Sequence, residues 1–146
     1  MKIFIGSFMI ACLMFAAEAM ARDERVMFSI SEALESRGSD RLNAENVQLF
    51  FGAQMHPPIG ENFGTFTSNK KTNAFLKKDK TACEWAFLSA MLSFQKRALS
   101  EGGDAVVNIH SYYKQEDVSS ESEYMCGAGG FVAGVTFRGD VVKLTN

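Results

Sequence analysis

The chain has few of the residues around which small proteins usually build chemistry. Its 146 residues include two histidines, three cysteines and two prolines, and the formal net charge is −2. So weak a charge argues against the basic field of a nucleic-acid-binding protein. The sequence also lacks both the Gly-x-x-x-x-Gly-Lys-Ser/Thr loop that cradles ATP phosphates and the Gly-x-Ser-x-Gly nucleophile elbow. We therefore expect a non-enzymatic protein that uses no cofactor, ATP or nucleic acid.

An apolar run near the start is the most informative segment that is present. Lys2 precedes the uncharged run 3–17, and Ala19-Met20-Ala21 has the small residues of a cleavage site. Glu18 ends the run before it reaches the roughly 20 apolar residues of a transmembrane helix. We expect residues 1–21 to be a cleaved signal peptide. What remains, 22–146, would be one periplasmic or secreted domain with no transmembrane segment.

Two cysteines lie outside that apolar run. Cys12 lies inside the predicted signal, so the mature chain keeps Cys83 and Cys126. An even pair in an oxidising compartment favours a structural disulfide between them. The alternative is a redox role for Cys83, because a thiol in the first turn of a helix is activated by the helix dipole. No Cys-x-x-Cys motif accompanies it.

One long amphipathic helix is predicted over 81–99. A capping box of Thr81 and Glu84 would begin it, and Gly102-Gly103 would end it. The apolar positions at helical spacing are Trp85, Leu88, Leu92 and Leu99, and further apolar residues widen this stripe. We expect the helix to be buried along much of its length against a sheet.

The segments on both sides of this helix predict strands. The predicted strands before it are 26–30, 46–53 and 63–68, and 63–68 is expected to pair back as a hairpin-like partner. A brief helix over 31–35, capped by a serine, is predicted after the first of these strands. Those after the long helix are 105–113 and 124–144, the latter interrupted by glycines at 127–130 and by Arg138-Gly139-Asp140. This order predicts an α+β fold, a mainly antiparallel sheet with one long helix packed on one face and stapled by the disulfide.

Three groups of residues are candidate sites. His56 and His110 are weak metal candidates, because a transition-metal site would need them close to carboxylates or thiolates. An acidic loop over 115–123 lacks the Asp-x-Asp-x-Asp-Gly pattern of a calcium site.

The third group is the strongest basic concentration in the chain. Lys70, Lys71, Thr72, Asn73 and Phe75 form a possible interaction loop, and three more lysines follow at 77, 78 and 80. Such a loop could contact an anionic envelope surface or an acidic envelope protein. The alternative is a solubilising loop ahead of the helix.

Several short motifs resemble a family of small secreted proteobacterial proteins often labelled "excinuclease ATPase subunit". They are the stretches 72–75, 82–86, 88–90, 103–109, 111–114, 124–129 and 133–135. The missing phosphate loop contradicts the DNA-repair part of that label. More distantly, the helix that ends in Gly-Gly-Asp-Ala-Val-Val resembles YbjQ-type heavy-metal-binding domains and the periplasmic domain of the Rcs stress-sensor lipoprotein. The resemblance implies an envelope protein, with metal binding or stress sensing as the alternative to a binding module.

Overall fold

Six β-strands and two α-helices make up residues 22–145, the part of the chain that the computed structural model describes. In chain order they are β1 (Glu24–Ser29), α1 (Ile30–Leu34), β2 (Gln48–Phe51), β3 (Ile59–Asn73), α2 (Asp79–Glu101), β4 (Ala105–Ser111), β5 (Glu123–Ala128) and β6 (Val132–Leu144). Short 3-10 segments lie at Ser39–Asn43 and Tyr113–Gln115. The expected signal peptide, residues 1–21, falls outside the described residues.

The strands form one sheet organised around β6. One edge of β6 pairs with β3 along its length, and the other edge pairs first with β5 and then with β4. β1 continues the sheet beyond β5, and β2 continues it beyond β4. Only the β2–β4 pair is parallel among these strands. This confirms the α+β class with a mainly antiparallel sheet.

Helix α2 packs on one face of this sheet, as predicted, and the apolar residues expected to widen its stripe, Phe87, Met91 and Phe94, are buried. The buried positions include Cys83, Phe87, Met91, Phe94 and Ala98, which recur at helical spacing. Four of its alanines are also fully buried, so the helix backbone can approach the sheet closely. The expected stripe itself is wrong in part.

The members of that expected stripe lie mostly on the flank of the helix. Trp85 and Leu92 are half-buried and Leu99 is exposed, whereas Leu88 is buried. The expected capping box is also wrong. The helix begins at Asp79 with Lys78 as N-cap and no side-chain cap. Its end is as predicted, because Gly102 adopts the left-handed conformation that a C-cap favours.

The other local predictions need three corrections. The segment around 63–68 is part of β3, which pairs with the distant β6 and not with β2. β6 runs through 138–140 without a break, and a Cβ at Gly139 would lie 2.8 Å from Val106 Cγ1 and 3.2 Å from Ile109 Cγ1, both in the neighbouring β4. The short helix α1 begins one residue earlier than expected, at Ile30. Its capping serine is Ser29, whose hydroxyl oxygen accepts a hydrogen bond from the main-chain N–H of Glu32.

The disulfide Cys83–Cys126 is present, as predicted, and joins the first turns of α2 to β5. Both residues are fully buried. Beside them, the ring of Phe87 packs against Tyr124 at 4.7 Å and Phe137 at 5.7 Å between ring centres. This aromatic cluster is the centre of the core. Within the described chain, no helix combines the length and apolar character needed to cross a membrane.

Candidate functional site

The β3–α2 loop and the β5–β6 turn meet at one end of the sheet and expose apolar side chains there. Phe75 and Phe131 stack with nearly parallel rings, 5.4 Å between centres. Leu76 is 89% exposed, Phe131 70%, and Phe75 and Val132 51% each. We call these four residues the apolar tip. Isolated exposed hydrophobic residues are ordinary, but a contiguous group typically marks an interaction surface.

Main-chain and side-chain hydrogen bonds hold the two loops in this arrangement. The N–H of Ala74 donates to the carbonyl of Phe131 at 2.8 Å, which ties one loop to the other. Asn73 Oδ1 accepts from the N–H of Phe75 at 2.8 Å and fixes the turn. Leu76 has a φ of 58°, a left-handed conformation that costs a leucine roughly 1–2 kcal/mol. The β3–α2 loop therefore holds Leu76 in a strained backbone conformation next to Phe75.

Free lysines surround the apolar tip. Lys77 and Lys78 follow Leu76 directly, are exposed, and form no ion pair with any residue in 22–145. Lys71 is likewise without a carboxylate partner there. Lys80 differs, because it contacts Glu32 at 2.9 Å. The tip thus combines exposed apolar surface with unneutralised positive charge.

The predicted interaction loop is divided by the fold. Lys70 and Lys71 are consecutive in β3, so their side chains leave opposite faces of the sheet. Thr72 is half-buried and pairs with β6, and Asn73 serves the turn. Phe75 belongs to the apolar tip.

Sequence reasoning missed the other three members of the tip, Leu76, Phe131 and Val132. The available signal was an aromatic residue after Gly129-Gly130, a position where a turn normally carries polar side chains.

A polar pocket of about 360 Å³ adjoins the tip on the sheet face opposite α2. Its lining comprises Arg22, Asp23, Asn69, Lys71, Tyr113, Lys114, Gly127, Val132, Gly134 and Thr136. Gly127 and Gly134 are directly opposite each other in the β5–β6 pair, so neither contributes a side chain to the floor, and the phenol of Tyr113 lies over Gly127. A Cβ on Gly127 would overlap the hydroxyl of Tyr113. We call this the glycine-floored pocket; Val132 and Lys71 connect it to the tip.

Asp23 is the only acidic residue in that lining, and its neighbours compensate its charge. The Tyr113 hydroxyl donates to Asp23 at 3.0 Å, and Lys114 forms an ion pair with it. Hydrogen bonds from Lys114 first, and then from Tyr113, lower the pKa of Asp23. Burial and the same hydrogen bond raise the pKa of Tyr113. Of the three cationic side chains in the lining, Lys114 pairs with Asp23 and Arg22 with Glu24 and Asp79, which leaves Lys71 without a carboxylate partner among residues 22–145.

Backbone strain also accompanies this pocket. Lys114 and Gln115 have φ values of 50° and 65°, two consecutive non-glycine residues in the left-handed region. Such residues cost about 1 kcal/mol or more each and are concentrated at functional sites. Here the strained backbone places the Lys114 side chain at the pocket.

The metal candidates do not come together with other ligands. His56 is exposed and contacts the carbonyl of Pro57, whereas His110 lies between the Asn108 carbonyl at 2.7 Å and Asp117 at 3.0 Å. Over residues 22–145 no group of three or more His, Cys, Asp or Glu side chains could hold a metal ion. The acidic loop is divided as well, since Glu116 pairs with Arg25 and Asp117 with His110.

The fold and the site define a disulfide-linked α+β domain with an exposed apolar tip beside a polar pocket. No protein-family model, curated protein or solved structure matches the chain. The family resemblance of its motifs stays a prediction. The function is therefore argued from the geometry of the tip and the pocket.

Proposed function

We propose that this protein is a non-enzymatic binding module of the bacterial envelope that docks through its apolar tip on an anionic membrane surface. The observation that carries the proposal is the combination of Leu76, Phe75 and Phe131 at the surface with free lysines beside them. The predicted signal peptide and the disulfide support an extracytoplasmic location, because disulfides persist in oxidising compartments.

The tip has the two properties that interfacial binding requires. Apolar side chains gain free energy by leaving water for the boundary of the acyl chains, about 1.5–3 kcal/mol for a fully buried Leu or Phe. Each lysine near an anionic surface adds about 1 kcal/mol. Leu76, Phe131, Lys77 and Lys78 together therefore offer roughly 5 kcal/mol, which supports reversible and not permanent attachment.

An acidic protein surface is the competing partner for the same tip. We favour the membrane because Lys77 and Lys78 directly follow Leu76 and are exposed with it, so positive charge and apolar surface are adjacent. A flat anionic surface needs only this proximity, whereas a protein hot spot needs a matching pocket.

Vesicle flotation tests the proposal. The protein from residue 22 onward should float with phosphatidylglycerol-containing vesicles and bind phosphatidylcholine vesicles much more weakly. Leu76→Ser with Phe131→Ser should lower the partition coefficient by roughly 100-fold, since about 3 kcal/mol of apolar transfer is lost. Both residues are exposed, so the fold should be retained.

A charge pair provides the matched control. Lys77→Glu with Lys78→Glu should abolish the preference for anionic vesicles, and salt should weaken binding of the unaltered protein. Lys96→Glu with Lys143→Glu makes the same net change on exposed lysines elsewhere. Lys96 lies roughly 25 Å along α2 from its first turn. An equal loss in both pairs, or no vesicle binding by the unaltered protein, would overturn the proposal.

A further inference from the structure

The glycine-floored pocket offers a second and more specific site than the tip. Its volume, about 360 Å³, lies within the range of small-ligand sites, which runs from roughly 300 to 1,000 Å³. Its floor has no side chain at Gly134, whereas the phenol of Tyr113 lies over Gly127. The cavity is thus lined by β3, β5 and β6 together with Arg22, Asp23 and the segment that carries Tyr113 and Lys114.

The charges around the pocket select the ligand class. Arg22, Lys71 and Lys114 line it against one carboxylate, Asp23, which Lys114 and Tyr113 already engage. The guanidinium of Arg22 forms ion pairs with Asp79 and Glu24, whereas Lys71 has no carboxylate partner among residues 22–145. The ammonium of Lys71 is therefore the cation most available to an incoming anion.

Neutral hydrogen-bonding groups complete the lining. Asn69 and Thr136 are direct partners across the β3–β6 pair, so their side chains leave the same face of the sheet. Lys71 and Gly134, two residue pairs further along, share that face. An amide and a hydroxyl beside an ammonium suit the several acceptor oxygens of a phosphate group. A carboxylate ligand would use fewer of these donors.

We infer that the glycine-floored pocket binds a phosphate-bearing group, with Lys71 as its principal cation and Asn69 and Thr136 as hydrogen-bonding partners. The pocket is continuous with the apolar tip through Lys71 and Val132. A lipid phosphate could therefore enter it while the tip contacts the acyl boundary. The inference rests on the proposed function only for this lipid source of the phosphate.

Titration followed by amide NMR tests the site without a membrane. Inorganic phosphate and glycerol phosphate are the probes, and glycerol is the uncharged control. Saturable shifts are expected at Gly127, Gly134 and Thr136. Lys71→Ala should weaken binding by about tenfold, the equivalent of one lost charge-assisted hydrogen bond. Lys96→Ala, which removes an exposed lysine of α2, should leave it unchanged.

A second variant fills the pocket without removing any charged residue. A Cβ at Gly134 would meet only ordinary contacts, 3.4 Å from Lys71 Cγ and 3.5 Å from the Lys70 carbonyl. Gly134→Leu should therefore fold, fill the floor and abolish phosphate binding while every cation remains. Dispersion of the amide spectrum checks the fold. Absence of saturable shifts in the unaltered protein, or undiminished binding by Gly134→Leu, would overturn the inference.

The results of these experiments distinguish a lipid phosphate from a soluble phosphate as the ligand. They also distinguish failure of the phosphate site from failure of the membrane-docking proposal. If phosphatidylglycerol vesicles compete with glycerol phosphate, the lipid source is supported. If both soluble probes bind and vesicles do not compete, the phosphate site is supported and its lipid source is rejected. Leu76→Ser should reduce vesicle binding but leave glycerol phosphate binding unchanged. Vesicle binding without any response to soluble phosphate would reject the pocket alone and leave the docking proposal in place.

Discussion

The buried hydroxyl of Tyr124 should make the protein less stable than it would be with phenylalanine. Tyr124 is fully buried in the aromatic core, and its hydroxyl has no hydrogen-bond partner within the described chain. An unsatisfied buried polar group costs about 1–3 kcal/mol. Tyr124→Phe keeps the ring contacts with Phe87 and Phe137 and removes only that cost. We expect the free energy of unfolding to rise by about 1 kcal/mol.

Urea unfolding measures this change, and Tyr113→Phe is the matched control. The same atom is removed there, but the Tyr113 hydroxyl donates to Asp23 at 3.0 Å. The control should therefore lose about 0.5–1.5 kcal/mol. Tyr124→Ala should lose about 3–5 kcal/mol, because it removes the ring itself. A loss of stability in Tyr124→Phe comparable to that of the control would refute the reasoning.

Alkaline pH gives an independent reading of the same hydroxyl. Burial, and then the negative charges of Glu84 and Glu32, raise the pKa of Tyr124 above its ordinary value of 10.0. Above that pH the unfolded chain loses the proton and the folded chain keeps it, so stability falls by about 1.4 kcal/mol per pH unit. Tyr124→Phe should flatten this decline. Tyr113, whose pKa is also raised, accounts for part of the remaining slope.

Three further predictions concern stability. Replacing Cys83 and Cys126 together by alanine opens a loop with a sequence separation of 43, which should cost about 4 kcal/mol in urea unfolding; a loss below about 1 kcal/mol would contradict this. Gln95→Leu removes donors to two main-chain carbonyls, at 2.9 and 3.0 Å, and also removes Gln95 Oε1, which has no partner within the described chain, so the net loss should be about 1 kcal/mol, whereas a gain in stability would show that the two bonds contribute less than the unpartnered oxygen costs. Gly127→Ala should displace the Tyr113 ring and cost about 1 kcal/mol, and this cost should vanish in a Tyr113→Ala background if the overlap is its cause.

The sequence by itself predicted the long helix and its end, because both signals are local: apolar periodicity is read along the helix, and the glycine that ends it follows the last helical residue. The sequence also predicted the disulfide, since two cysteines lie outside the predicted signal peptide. The start of the helix was less predictable. Thr81 and Glu84 match a capping box, yet the helix begins two residues before Thr81, at Asp79, with Lys78 as N-cap.

Strand pairing was decided by the tertiary structure. The segment 63–68 alternates like a hairpin partner, but β3 pairs with β6, and no local pattern states which distant strand a strand will join. The interruption expected at Arg138-Gly139-Asp140 is absent for a related reason. Glycine is favoured at 139 by the close approach of Val106 and Ile109, a contact between distant segments.

The candidate site shows the same division. The sequence by itself indicated a basic loop that includes Phe75, because lysines and an aromatic residue are adjacent in the chain. Only the fold brings Phe131 onto Phe75 and places Gly127 opposite Gly134, since each pair joins segments that meet through β6 or its turn. Composition and periodicity describe what neighbours along the chain do, whereas a surface or a pocket depends on neighbours in space.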